Sequence, residues 1–196
     1  MRAPPARRFA QALAGFAPLL FGLLLMFGAA VPPRPTHPTA LPAPPAPEAV
    51  AVLSLDDRAG GQRALALWLQ NAGEAAGRVA PLPLGDGERL ALWLAVIDGL
   101  APGSELAPAL AALHFGAAAR GPTARRLARA LATLAQTRLP ERWPWLVHAA
   151  ALAGDRGGDR ALAAALARPL ADLPAGDLPD WARRLPHALS RKEALR

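Results

Sequence analysis

The sequence has no cysteine and no tyrosine, a single lysine at Lys192, and only three serines, Ser54, Ser104 and Ser190. Each absence removes a class of chemistry. Without cysteine there is no disulfide, no thiolate metal site, no cysteine nucleophile and no lipid attachment at a cysteine. An oxidising compartment is compatible with that absence but not required by it. The three serines form no Gly-x-Ser-x-Gly elbow. Nothing in the sequence pairs them with His114, His148 or His187 as a triad would need, and Ser104 reads as a helix cap. β-Branched residues are few and no alternating apolar run occurs, which argues against a sheet.

Metal and phosphate chemistry are equally short of residues. The histidines are far apart in sequence, without a His-x-x-x-His or His-Glu pairing. Asp155 and Asp159, with glycines between them, lack the further oxygen ligands and the distal Glu of a calcium loop. They read as a turn and a helix cap. The pair Asp56-Asp57 reads as solvated or capping. His148, in a small-residue stretch four positions before Leu152, reads as a helix-packing core histidine. No phosphate-binding glycine loop is present. The sequence therefore predicts no catalytic residue, no cofactor and no metal, and suggests no small-molecule substrate.

Charge is unevenly placed. The formal net charge is +7, but Arg2, Arg7, Arg8 and Arg34 carry +4 before residue 41. The other 18 basic residues face all 15 acidic ones, leaving +3. The pI of about 11.5 reflects arginine in place of lysine and the missing tyrosine and cysteine. A nucleic-acid domain concentrates basic residues into a stripe. The nearest candidate, Arg125, Arg126 and Arg129, suits a solvated helix face as well, so nucleic acid is not an expected partner.

What the chain does have begins at its N-terminus. Arg2, Arg7 and Arg8 precede an uncharged apolar run from Ala12 to Val31. A bilayer core needs about 20 such residues in a helix. Residues 9–31 are therefore expected to form a transmembrane anchor in contact with the lipid bilayer, after a basic tip over 1–8. The positive-inside rule keeps that tip cytoplasmic and puts the remainder on the far side, which in a bacterium is the periplasm. A cleaved signal peptide is the rival reading, with Gly28-Ala29-Ala30 as a small-residue cleavage site. Both place the later residues on the same side. Every second residue from Pro32 to Pro47, on average, is proline. Such a tract forms neither helix interior nor central strand. The span 32–52 is read as an extended spacer, whose proline tract reaches roughly 50 Å at about 3 Å per residue.

Beyond it, 53–190 reads as helices separated by Gly/Pro punctuation, with a tail over 191–196. Gln62 to Ala76 carries Leu65, Trp68, Leu69 and Ala72 at helical spacing. Asp86 caps a second helix with Leu90, Trp93, Leu94 and Ile97 on one face. A third runs from Ser104 to about Ala119. A fourth starts at Gly121-Pro122-Thr123, carries Leu127, Leu131 and Leu134 at i, i+4 and i+7, and closes at Pro140. The fifth contains Trp145, Leu146 and Leu152. Asp159 caps a sixth, reaching about Leu170. Pro179-Asp180 opens a short last helix, which Pro186 interrupts. Short loops between helices imply antiparallel neighbours. The fold class is all-α, as a bundle or a tetratricopeptide-like α-solenoid of helical hairpins.

The block Arg142-Trp143-Pro144-Trp145-Leu146-Val147-His148-Ala149-Ala150, with Asp159, Ala161-Leu162 and Pro179-Asp180-Trp181-Ala182-Arg183, resembles an uncharacterised proteobacterial family of membrane-anchored, tetratricopeptide-like helical-repeat proteins. The resemblance covers about 60–185 and implies a single N-terminal anchor followed by a helical-repeat domain. It implies no activity, cofactor or catalytic residue. After Arg184 the chain departs from it, because Pro186 and a polar tail stand where a longer final helix is expected.

Trp143, Trp145 and Trp181 read as fillers between helix layers or as the lining of a groove, since tryptophan is enriched at binding hot spots. Arg142, Arg183 and Arg184 read as one exposed side, solvated or facing an acidic partner. These six are the candidate partner-binding residues. The expected function is a membrane-anchored interaction module or scaffold on the periplasmic side of the bacterial inner membrane, meeting an envelope or inner-membrane protein. The alternative is an accessory subunit held in a membrane complex through its own transmembrane helix, with Gly15, Gly22 and Gly28 as close-approach points.

Overall fold

The structure is a computed structural model, and it describes residues 41–72, 74–75, 78–79, 87–174 and 176–191. The expected basic tip over 1–8, the anchor over 9–31, the spacer up to residue 40, the Asp86 cap and the tail over 191–196, apart from Arg191, lie outside these residues. Among the described residues, no helix is long and apolar enough to cross a membrane. The described chain is all-helical apart from one two-residue antiparallel ladder. Eight helices follow one another: α1 (Pro47–Leu53), α2 (Arg58–Asn71), α3 (Gly87–Leu100), α4, α5 (Gly121–Gln136), α6, α7 and α8 (Asp180–Arg191). The ladder lies between α2 and α3, with β1 (Glu74–Ala75) paired to β2 (Arg78–Val79).

Three helices are composite. α4 runs through Leu106–Ala109, a π-helical turn over Leu110–Phe115 and Gly116–Ala118. α6 begins as Trp143–Ala151 and ends in a π-helical turn over Leu152–Arg156. α7 spans Arg160–Ala167 and tightens into a 3₁₀ turn over Arg168–Leu170.

Local chemistry explains most boundaries. Pro122 and Pro144 sit in the first turns of α5 and α6, where the missing N–H costs nothing and the fixed φ suits a helix. The turn before α6 contains a cis Leu139–Pro140 peptide. Asp57 caps α2 by accepting from the Gly60 amide at 2.9 Å. Asp159 caps α7 by accepting from the Leu162 amide at 2.9 Å. Its carboxylate also lies 3.9 Å from the Arg125 guanidinium. Asp159→Ala is expected to lower unfolding free energy by about 1 kcal/mol, the usual worth of an N-cap. Urea denaturation followed by circular dichroism checks this, and a loss below a few tenths would exclude a capping role.

The α6–α7 turn needs its glycines. Gly158 has φ +67°, and a Cβ on Gly157 would lie 2.5 Å from the Ala153 carbonyl oxygen and 2.8 Å from Arg125 Cγ. Asp155, in the same turn, is exposed.

Each helix packs chiefly on its chain neighbours: α2 on α3, α5 on α6, α6 on α7 and α7 on α8, while α3 packs on α5 as well as on α4. The core alternates leucine with alanine. α5 buries Ala124, Leu127, Ala128, Leu131, Ala132, Leu134 and Ala135 along one side, against Ile97, Ala111, Leu146, Ala149 and Ala153 in the same cluster. Alanine lets helix axes approach toward the short end of the usual range of about 8–10 Å, while each buried leucine contributes roughly 2 kcal/mol. The alanine-rich composition is thus used at the helix interfaces.

Four readings of the sequence are corrected here. The helix expected from Gln62 to Ala76 runs instead from Arg58 to Asn71, and Glu74–Ala75 is strand. The folded unit begins before residue 53, because Leu41 is buried and Pro47–Leu53 is helical. Pro47 in the first turn starts that helix, with Glu48 beside its positive end. Pro186 does not interrupt α8, which continues through it to Arg191 with Pro186 buried. His148 is exposed, not packed in the core.

Candidate partner-binding surface

The six candidate residues are separated by the fold. Arg142, read from sequence as exposed, is 1% exposed and is the largest fully buried side chain among the described residues. It lies just before α6, and its guanidinium grips Asp98 of α3 with both ends: Nη2 donates to Oδ1 at 2.8 Å and Nη1 to Oδ2 at 3.2 Å. Nη2 also donates to the carbonyls of Pro102 at 2.8 Å and Ser104 at 2.6 Å. Nη1 donates to the Leu134 carbonyl at 3.0 Å and the Thr137 hydroxyl at 3.2 Å. Nε reaches Glu105 at 3.4 Å. The fork geometry of guanidinium is what allows one side chain to meet a carboxylate bidentately and still reach backbone carbonyls. Burial alone would lower the Arg142 pKa, but hydrogen bonding and charge from Asp98, followed by Glu105, outweigh it and hold the guanidinium above its ordinary range. A raised guanidinium pKa means its contribution is lost only as pH rises through that range, so the pair carries no alkaline switch near neutrality. Arg142 is therefore a clamp between α3, α5 and α6 and is not offered to a partner.

The same use of side chains recurs at other helix ends. The last carbonyls of a helix lack intrahelical donors and attract cations. Gln62, buried, donates to Ile97 O at 3.0 Å and Ala101 O at 3.4 Å at the end of α3. Arg120 and Arg156 both donate to Ala117 O at the end of α4, at 3.0 and 2.6 Å. Arg125 donates to Gly157 O at 2.7 Å just beyond α6. Thus Arg125, part of the nearest basic cluster, is occupied inside the protein, while Arg126 and Arg129 are exposed.

Trp143 and Trp145 are both half-buried and diverge from the start of α6. Two helical positions are about 200° apart. Trp145 donates its indole N–H to Glu105, and its ring lies 5.4 Å from that of His148. Trp143 instead meets Trp181 of α8 edge-to-face, with ring centroids 6.0 Å apart. Trp181 is 56% exposed. Arg183, half-buried, has its Nη2 3.5 Å from the Pro174 carbonyl, and its Nε is buried with no hydrogen-bond partner. Arg184 is exposed and pairs with Asp180 at 3.8 Å, one turn earlier. The structure thus brings Trp143 and Trp181 together, carries Arg183 and Arg184 on the same helix as Trp181, and turns Trp145 toward α4.

Among the described residues, the other two histidines, His114 and His187, are exposed, and no group of three acidic, histidine or cysteine residues could hold a metal. Sequence reasoning missed a second tryptophan pair. Trp68 of α2 and Trp93 of α3 stack with centroids 4.6 Å apart. Each was placed on a helix face, and short loops imply that adjacent helices pack, but the register between the two helices is not legible without a structure.

No protein family, curated protein or solved structure matches this chain.

Proposed function

We propose that this protein is a single-pass, membrane-anchored interaction module of the bacterial inner membrane. Residues 9–31 hold it in the bilayer, the N-terminus is cytoplasmic, and the helical domain stands in the periplasm. There the domain recruits an envelope or inner-membrane protein through its surface and carries out no catalysis. The observation that carries this reading is the uncharged apolar run Ala12–Val31 behind Arg2, Arg7 and Arg8, joined through a proline-rich tract to a helical domain. The succession of helices packed mainly on their chain neighbours supports a tetratricopeptide-like α-solenoid, in line with the family resemblance. Trp143, Trp181, Arg183 and Arg184 form the partner-facing set, with an exposed tryptophan as its anchor.

The test is affinity purification of C-terminally tagged protein from crosslinked membranes, compared with a form whose residues 9–31 are replaced by an unrelated anchor. A partner retained after the swap, and lost on Trp181→Ala, is the expected result. A partner lost with the swap would instead make the protein an accessory subunit held by its membrane helix. A chain recovered wholly in the soluble fraction would overturn the anchor.

A further inference from the structure

We propose that the Trp68–Trp93 pair and Arg89 form a recognition site for extended, proline-rich peptide, and that the chain's own segment from Leu41 to Ala46 occupies it in cis.

The segment is Leu41-Pro42-Ala43-Pro44-Pro45-Ala46, followed by Pro47. Proline locks its own φ near −65° and pushes the residue before it out of the helical region. Leu41, Ala43, Pro44 and Ala46 each precede a proline, so the local sequence alone holds the segment extended. Ala46 has φ −63° and ψ 139°, the polyproline II conformation. Such a chain forms no hydrogen bonds within itself, and its carbonyls stand free as acceptors.

Two consecutive carbonyls of this segment are met by side-chain donors from α3. The Trp93 indole N–H donates to Pro42 O at 2.9 Å, and the Arg89 guanidinium donates to Leu41 O. Arg89 and Trp93 are one helical turn apart, which places both donors on the same side of α3. The Leu41 side chain is 3% exposed, and Pro44 and Pro45 are half-buried. Trp93, 4% exposed, is backed by Trp68, which keeps 43% of its surface open. An aromatic-lined face whose donors read backbone carbonyls of a preformed polyproline chain is the general recipe for proline-rich recognition. None of these contacts depends on the segment being covalently attached, because both hydrogen bonds go to main-chain oxygen and the buried anchor is one leucine. A Leu-Pro-x-Pro-Pro segment of another chain presents the same groups.

This inference adds a second binding surface to the interaction module, on other residues than the Trp143–Trp181 pair, and goes beyond that reading. Its test is read as direct binding of a labelled peptide and fails separately from the crosslinking experiment. A tethered ligand acts at an effective concentration of about millimolar and masks its site from a free competitor. The probe is a fluorescein-labelled peptide spanning residues 39–48, titrated by anisotropy into the full-length chain in detergent. Leu41→Asp, which places a charge in the buried anchor position, is expected to raise the apparent affinity at least about tenfold over the unsubstituted chain. Adding Arg89→Met is expected to reverse most of that gain. A peptide with alanine at Pro42, Pro44 and Pro45 is expected to bind at least about tenfold more weakly. Should Leu41→Asp fail to fold, the double change Pro44→Gly and Pro45→Gly releases the segment through its own flexibility and leaves the leucine in place. A released chain with unsubstituted helicity and melting that does not bind the peptide, or that binds the alanine peptide equally well, would overturn the proposal.

Discussion

Arg142→Met is expected to lower unfolding free energy by about 3–5 kcal/mol, the range for removing one partner from a buried ion pair. The physical reason is what remains behind. Asp98, 6% exposed, loses the bidentate donor that offsets its desolvation. The carbonyls of Pro102, Ser104 and Leu134 lose a donor at the same time. Asp98→Ala is expected to cost a similar amount, since it leaves the guanidinium buried with carbonyl partners and the more exposed Glu105. Combining Arg142→Met with Asp98→Leu should regain about half the loss, because no unpaired buried charge then remains. Recovery stays incomplete because the backbone carbonyls are still short of a donor, at about 1 kcal/mol each. Arg142→Lys is not expected to rescue: an ammonium has three donors and no planar fork. Urea melts of the four variants, monitored at 222 nm, decide the matter. A loss under about 1 kcal/mol for Arg142→Met would show that the clamp is not a stabilising element.

Leu131→Ala is expected to cost about 3 kcal/mol. Leu131 is fully buried in α5, the helix that packs on α3, α4 and α6. Truncation removes the transfer free energy of the lost carbons and adds a cavity term of about 24 cal/mol per Å3. α5 is held on several sides, so neighbouring helices have little freedom to close the gap. Leu113→Ala is the control. Leu113 is 60% exposed on α4, and its truncation should change stability by less than about 0.5 kcal/mol. Equal losses at the two positions would contradict the packing described for α5. The effect also sets α5 apart from the chain ends: a domain whose helices pack on their neighbours should tolerate changes in α1 better than in its middle.

How far the sequence was legible can be followed residue by residue. Pro122, Pro144 and Asp159 mark helix starts through backbone chemistry that acts within a few residues, and the structure places helices at all three. The α5 pattern of Leu127, Leu131 and Leu134 predicts its buried face for the same reason. Ser104 accepts from the Leu106 amide at 3.2 Å near the start of α4, but Glu105 and not Ser104 takes the cap position. Pro186 misled because the cost of an interior proline was counted without what its ring gains by burial in α8. His148 misled because a small-residue neighbourhood does not say which side of a helix a residue takes. The six-residue candidate surface was half legible. Trp143 and Trp181 do meet, but Arg142 is buried against an aspartate 44 positions earlier. A lone arginine beside two tryptophans carries no mark of that partner, and charged residues are rarely buried unless paired.

The proline-rich tract shows the same division. Its sequence by itself determines that the segment from Leu41 to Ala46 is extended, since each constraint is local to a proline and its predecessor. That the segment lies against Trp93 and Arg89, about 50 positions later, is decided by the tertiary structure alone. For the protein as a whole, the sequence determined the helical class, the helix starts at Pro122, Pro144 and Asp159, and the apolar N-terminal run, because these depend on composition and on interactions within one or two turns. The tertiary structure decided which arginine is a clamp and which tryptophans meet. It also decided where the folded unit begins. Those outcomes depend on the register between helices, and register is set by the packing of distant side chains that no local pattern encodes.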